Sequence, residues 1–249
     1  MAVVERSVST QADLAARVRS IEPADRIDGI VLVADHQTAG RGRLDRTWTT
    51  PARSALTLSV LLRPDGVDVA RWPWLALLTG LVVAATLRDQ AGVEALVKWP
   101  NDVLIGERKV AGILVERVET SGGAVAVVGI GVNVSLRADE LPVPEATSLA
   151  LESTTTTDRS VLLRALLRNL GRVYRDWVRH AGDPGGGLRA SYVEACTTIG
   201  RRVRVELASS RSLTGRAVGL DRWGRLLVSV SGAEHAVAAG DVVHLRPAP

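Results

Sequence analysis

The run Ala124-Val-Ala-Val-Val-Gly-Ile-Gly-Val-Asn-Val134 carries no charge on either face of the strand it would form, so it reads as a strand buried inside a sheet. By the period of two, Gly129 and Gly131 share one face. A glycine pair bares the backbone to close approach by a ligand, and tight packing of a helix on the sheet would use the same pair. It is not the dinucleotide fingerprint, because position 134 is valine and the run around it is strand-like.

Other runs extend this sheet. Gly29-Ile-Val-Leu-Val-Ala34 is a buried strand, and Ala55-Leu-Thr-Leu-Ser-Val-Leu-Leu62 is another, closed by the turn signal Arg63-Pro-Asp-Gly66. Val97 to Ile105 and Lys109 to Glu116 flank the turn residues Gly106-Glu107 and read as a hairpin. Helical spacing places Leu14, Ala15 and Val18 on one helix, N-capped by Ser9 or Thr10. The segment from Trp72 to Gln90 predicts a long core helix; its apolar run contains Pro73 and Gly80 and falls short of the ~20 residues that span a bilayer. Leu163, Leu166, Leu167, Leu170, Val173, Tyr174 and Trp177 form the apolar stripe of an amphipathic helix, capped by Thr157 or Asp158. The glycine-rich stretch 181–187 breaks the chain before a short helical piece around Tyr192.

From Thr198 onward the texture changes. Val203-x-Val205-x-Leu207, Leu226-x-Val228-x-Val230 and Val242-Val243-x-Leu245 alternate between turns such as Asp221-Arg-Trp-Gly224. This all-β module of about fifty residues is too small for an extensive core and is expected to dock on the rest. The fold class is therefore α+β, a mixed β-sheet flanked by helices with a small C-terminal β module, divided into 1–196 and 197–249.

The chemistry is concentrated in Gln37-Thr-Ala-Gly-Arg-Gly-Arg-Leu-Asp-Arg-Thr-Trp48, at the end of the strand that finishes at Ala34. Gly40 and Gly42 let backbone N–H groups approach an anion, Arg41, Arg43 and Arg46 supply forked donors for phosphate or carboxylate oxygens, and Trp48 offers a flat face for a ring. A solvated basic turn is the alternative. An Arg-Gly nucleic-acid segment would come in many repeats, and this one is single.

Which cation is used where is informative. Of 31 basic residues all but Lys98 and Lys109 are arginine, so these two are lysines for a reason; a compact ammonium does what a planar fork cannot. The net charge of +4 would suit a polyanion, but it is modest for this length and its residues are scattered, so charge alone decides little. A single cysteine, Cys196, cannot form an internal disulfide, and the N-terminus lacks a basic-then-apolar signal, so the expected compartment is the cytoplasm, with no membrane partner. The histidines at 36, 180, 235 and 244 show no ligand spacing with cysteine, so no zinc site is expected.

Gly40 to Arg43, Lys98-Trp-Pro-Asn-Asp102, Lys109-Val-Ala-Gly-Ile-Leu114 and Gly129-Ile-Gly-Val-Asn133 occur in the order in which they recur in the biotin protein ligases, and the chain resembles that family over its whole length. The C-terminal module resembles the family's small Src-homology-like β-barrel. The resemblance implies a two-step reaction, in which biotin and MgATP give biotinyl-5′-AMP and pyrophosphate and a lysine of a biotin carboxyl carrier domain then attacks the mixed anhydride.

By the same resemblance, Lys109, Arg43 and Asp102 are catalytic, with Asp102 the candidate for organising Mg²⁺. Ser9, Thr10, Gln11, Gln37, Gly40, Arg41, Arg43, Lys109, Gly112, Gly129 and Gly131 bind biotin, and Arg43, Arg46, Trp48, Asn101, Lys109 and Asn133 bind ATP or the adenylate. No tightly bound metal is implied. Joining a carboxylate to an α-phosphate brings two anions together, and Lys109 as a point charge between them would offset their repulsion. One departure is Gln11, where the family usually has asparagine. Eight residues precede Ser9, too few for the winged-helix DNA-binding domain of the bifunctional members, so a ligase without specific DNA binding is expected.

A lipoate or octanoate transferase shares this fold, but its Arg-Arg-x-x-Gly-Gly-Gly loop and following histidine are missing. An RNA-binding adaptor would need stacked aromatics on a basic sheet, and aromatics make up 3% of the chain. The arginines of the 40–48 loop should repel one another without an anion between them, so the empty loop is expected to be disordered until biotin binds.

Overall fold

The structure, a computed structural model, describes residues 1–19, 28–206, 212–238 and 240–245; Leu207 of the predicted strand pattern lies outside them. The chain begins with β1 (Ala2–Ser7) and α1 (Thr10–Arg19), followed by β2 (Val31–Gln37), the two-residue strands β3 (Gly40–Arg41) and β4 (Thr47–Trp48), and β5 (Ala55–Leu62). Next come α2 (Pro73–Ala91), β6 (Ala95–Lys98), β7 (Asp102–Ile105), β8 (Arg108–Thr120) and β9 (Gly123–Asn133). The helices α3 (Arg159–Arg179) and α4 (Leu188–Ala195) lead into β10 (Arg202–Glu206), β11 (Ser212–Leu220), β12 (Leu226–Val230), β13 (Ala233–Val237) and β14 (Asp241–His244).

Seven strands form one mixed sheet in the order β1-β2-β5-β9-β8-β7-β6, parallel at β1–β2 and antiparallel elsewhere. Its two faces are covered unequally. On one side α1 lays Leu14, Ala15 and Val18 against Leu61, Val125 and Val127. On the other, α2 and α3 bury Trp74, Leu78, Leu166 and Leu170 with the sheet's Ile113, Val128 and Ile130. Each such side chain contributes roughly 1.5–3 kcal/mol by leaving water.

Pro73 opens α2 at its first turn, where the missing N–H costs nothing, and Gly92 ends it in the left-handed conformation. Among the described residues, Val69–Ala91 is the one helical stretch long and apolar enough to cross a membrane; packed between sheet and α3, it is a core helix. Asp158 caps α3, accepting hydrogen bonds from the amides of Ser160 and Val161. The stretch from Val97 to Ile105 is not one strand of a hairpin: a turn at Trp99-Pro100-Asn101, with a cis Trp99–Pro100 bond, divides it into β6 and β7.

The C-terminal strands pair antiparallel in the order β13-β12-β11-β10-β14, a ladder with no described pairing between its two ends. Val203, Val205, Ala217, Leu226 and Val228 join the main core rather than a separate one. The indole of Trp74 donates to the carbonyl of Arg222 at 3.0 Å, and that of Trp99 to the carbonyl of Gly224 at 3.0 Å, so the turn 221–224 sits against α2 and the β6–β7 turn. Gly224 has φ +77 and a Cβ there would lie 2.9 Å from Leu77, so only glycine allows this seating.

Candidate active site

Cross-strand register builds the floor of the site. Thr57 of β5 faces Gly131 of β9, Gly131 faces Gly112 of β8, and Gly112 faces Asp102 of β7, one row across four strands on the α1 side of the sheet. In the next row Ser59 faces Gly129 and Gly129 faces Leu114. Three bare glycines thus lie between two hydroxyls and a carboxylate. Something fills the space each leaves. A Cβ on Gly131 would come within 2.5 Å of the Trp48 ring, one on Gly129 within 2.6 Å of the Gln11 amide oxygen, and one on Gly112 within 3.2 Å of the Lys109 side chain.

A β-bulge sets Lys109 in place. Leu104 pairs with Lys109 and Val103 with Ala111, so Val110 is an extra residue in β8. Without it, Lys109 and Gly112 would point to opposite faces; with it both look into the cavity, while Val110 and Ala111 are buried. Lys109 Nζ then lies 2.6 Å from Asp102 Oδ1. The Lys109 backbone is fixed by the carbonyl of Glu145 and the amide of Thr147.

At the other end of the cavity the N-terminus of α1 meets β2. Gln37 Oε1 accepts from the Thr10 amide at 2.8 Å and from the Thr10 hydroxyl at 3.0 Å, so a side chain from another element caps the helix. The Ser59 hydroxyl lies 2.9 Å from Thr10 Oγ1 and 3.2 Å from Gln11 Oε1, while Gln11 Nε2 donates to the Val127 carbonyl. With the Thr10 proton committed to Gln37, Ser59 has one proton for two acceptors. This buried chain is short of donors, and it suits a ligand that brings N–H groups. The length of Gln11 lets its amide reach both Val127 and Ser59. Ser9, buried beside it, receives the Ala12 amide at 3.4 Å.

The 40–48 loop is a small closed hairpin. Gly40 and Arg41 pair with Trp48 and Thr47, and the Gly42 amide donates to the Arg46 carbonyl at 2.7 Å. A Cβ on Gly40 would sit 2.3 Å from the Trp48 carbonyl oxygen, which explains the glycine. The expectation of mutually repelling arginines in an unanchored loop is corrected here. Arg41 binds both carboxylate oxygens of Glu116, at 2.9 and 3.3 Å, and Arg43 donates to Asn101 Oδ1 at 3.0 Å. Asn101 in turn donates to the Ile113 carbonyl, tying loop to sheet. The Trp48 indole lies across Gly131 and Gly112, with its buried Nε1 lacking a protein partner.

The resulting cavity, about 130 Å³, is lined by Ser9, Thr10, Gln11 and Gln37 at one end and by Asn101, Asp102 and Lys109 at the other. Arg41, Arg43, Arg46 and Trp48 cover it, and Gly112, Gly129 and Gly131 floor it. Asn133 stands apart from this wall: it is buried, and its amide donates to the Thr147 carbonyl, supporting the segment that holds the Lys109 backbone. Gly40 acts through the hairpin rather than on the wall. Thr57 and Ser59 were missed from sequence, although two hydroxyl residues spaced by two in the otherwise apolar run 55–62 are the signal that could have found them.

Four cations against one carboxylate make the lining an anion site. Among the described residues, Asp102 is the one acidic residue of the lining, and no cluster of three or more His, Cys, Asp or Glu side chains could hold a metal ion. One carboxylate suits Mg²⁺ that arrives on a nucleotide, because that ion takes one or two carboxylates plus phosphate oxygens.

A mixed sheet with a glycine-floored anion cavity on one face, and a small β module seated against α2 and the β6–β7 turn, is the architecture expected of the group-joining enzymes that the sequence motifs indicated. The chain belongs to the biotin/lipoate A/B protein ligase family, matched over residues 6–133, and its residues 198–245 match the biotin protein ligase C-terminal domain. It is 43% identical to the biotin–[acetyl-CoA-carboxylase] ligase of Mycobacterium tuberculosis over 98% of this chain and 88% of that protein. The Bacillus subtilis bifunctional ligase/repressor is 32% identical over 86% of this chain, which spans 66% of its length. The biotin protein ligase of Aquifex aeolicus, solved in complex with biotin and ATP, superimposes with a TM-score of 0.79 at 28% identity, over 99% of this chain and 98% of that one.

Proposed function

We propose that this chain is an ATP-dependent biotin–protein ligase that forms biotinyl-5′-AMP in the glycine-floored cavity and passes the biotinyl group to a carrier-domain lysine. The observation that carries the reading is the single row Thr57, Gly131, Gly112 and Asp102, which joins a donor-poor polar end to a Lys109–Asp102 pair across bare backbone. The ureido N–H groups of biotin supply the donors that Gln37, Thr10, Ser59 and Gln11 lack. Its ring system lies on the glycines, and its carboxylate extends toward Lys109.

A biotin carboxylate oxygen attacks the α-phosphorus of ATP, the bond to the bridging oxygen breaks, and pyrophosphate leaves. Lys109 and Arg43 offset the charge that develops on the phosphoryl oxygens. Asp102 is the carboxylate that would hold a Mg²⁺ arriving with ATP, and the ion would offset phosphate charge there. A carrier lysine amine then attacks the acyl carbon, loses a proton, and AMP leaves. The match to the biotin protein ligase C-terminal domain favours biotin over lipoate or octanoate. The single, buried cysteine fits a cytoplasmic setting.

The test is to incubate the protein with labelled biotin, MgATP and a biotin carboxyl carrier domain. Label on the carrier, absent when its acceptor lysine is replaced by arginine or when ATP is omitted, supports the reading. ATP-independent labelling, or none with an active carrier, overturns it.

A further inference from the structure

The C-terminal module supplies no described residue to the cavity wall, yet it grips the turn that does. Trp99 and Pro100 lead directly into Asn101, which holds Arg43, and Asp102, which pairs with Lys109. Beside them the chain entering the module runs along β6. Cys196 bridges to Val97, and Thr197 donates to the Val97 carbonyl through both its amide, at 2.8 Å, and its hydroxyl, at 3.1 Å. At the next step a side chain replaces the backbone: the Trp99 amide donates to Thr198 Oγ1 at 3.2 Å.

Thr198 is fully buried, and its hydroxyl lies 3.1 Å from His244 Nε2. Arg201 approaches His244 Nδ1 at 3.5 Å, and its other terminal nitrogen pairs with Glu107 at 2.8 Å, two residues before Lys109. Arg201 and Thr198 thus hold the imidazole from its two ring nitrogens. Thr198 Oγ1 accepts from the Trp99 amide of the turn and shares a hydrogen bond with His244 of the module.

We propose that Thr198, oriented by His244, is a positioning residue for adenylation: it fixes the Trp99 amide and thereby the placement of Asn101 and Asp102 against Arg43 and Lys109. The proposal rests on the adenylate-forming reading of the cavity. A misplacement of about 1 Å at reacting groups costs on the order of 10²-fold in rate, so a single buried hydrogen bond at the turn can govern turnover. The biotin end, built from Ser9, Thr10 and Gln37, lies across the sheet from this contact and does not depend on it.

The experiment compares the wild type with Thr198→Val, which keeps the shape and removes the acceptor, Thr198→Ser, which restores it, and His244→Gln. Adenylate formation is followed for kcat and for the KM of biotin, alongside the urea midpoint. Thr198→Val should lower kcat about tenfold or more with the biotin KM within about twofold, and Thr198→Ser should stay near wild type. Wild-type kcat in Thr198→Val, whatever its stability, overturns the proposal, as does a serine variant as slow as the valine one. If Thr198→Val does not fold, His244→Gln decides: a lowered kcat at unchanged biotin KM supports the proposal, and wild-type kcat overturns it. A wild-type protein that forms no adenylate fails the underlying reading instead, a separate result seen before any variant is compared.

Discussion

Lys109 Nζ lies 2.6 Å from Asp102 Oδ1, and the two meet only because Val110 bulges out of β8. The pair holds the ammonium beside the glycine floor before any substrate arrives. On the proposed reading, an α-phosphate and a carboxylate would share Lys109 without waiting for a flexible side chain to order.

Lys109→Ala removes that point charge and should slow adenylation by about 10²–10³-fold, the range for loss of one preorganised electrostatic contact. Asp102→Asn should be slow as well, and its loss should respond to added Mg²⁺. Lys98→Arg, outside the cavity wall, should be milder than either. Single-turnover adenylation assays measure all three, and near-normal turnover in Lys109→Ala would remove the assignment.

Gly131→Ala places a methyl group within 2.5 Å of the Trp48 ring. Overpacking of this kind costs about 1–3 kcal/mol, so biotin affinity should fall roughly 5- to 150-fold and Trp48 fluorescence should change. Gly219→Ala, with nothing near its Cβ, is the control. Calorimetric titration with biotin checks the pair, and equal affinities would mean the floor is not the biotin site.

Glu116 on β8 anchors the loop arginine Arg41. Glu116→Gln leaves Arg41 without its two-point partner, and tryptic cleavage after Arg41 in the free protein should quicken severalfold, with biotin slowing it again. A half-exposed ion pair is worth about 0.2–1 kcal/mol, which bounds the effect to roughly fivefold. Unchanged cleavage would show that Arg41 is held by something else.

His244 is pushed down to about 4, first by burial and then by the charges of Lys98 and Arg201, with Glu107 opposing them. Its ordinary value is about 6.5, so between pH 6.5 and 4 the unfolded chain takes up a proton that the folded one refuses. The stability due to neutral His244 is complete above pH 6.5 and falls as pH drops toward 4, with a slope approaching about 1.4 kcal/mol per pH unit. Urea midpoints at pH 7, 6 and 5 should decline more steeply in the wild type than in His244→Gln. Parallel curves would contradict the assignment.

Much of the fold was legible because the central strands are continuous apolar runs buried on both faces and α3 carries a helical apolar stripe. Ala124 to Asn133 and Ala55 to Leu62 are strands, Leu166, Leu170, Tyr174 and Trp177 share a buried face, and Gly129 and Gly131 do look the same way. The site was legible as motifs, not as geometry. A bulge leaves no mark in residue type, so period-two counting from Gly112 puts Lys109 on the wrong face. The turn at Trp99 to Asn101 was hidden inside an apolar run, although Pro100-Asn101 carries turn chemistry. Glu116 and His244 act on partners far away in sequence, at Arg41 and Thr198, and no local pattern announces such pairs.

The most direct measurement is mass spectrometry of the products formed from MgATP and each of biotin, lipoate and octanoate, with pyrophosphate release followed in parallel. The account predicts biotinyl-5′-AMP and pyrophosphate in equal amounts with biotin, and neither product with the other two acids. Equal adenylate formation from lipoate or octanoate, or pyrophosphate release that does not depend on biotin, would contradict it.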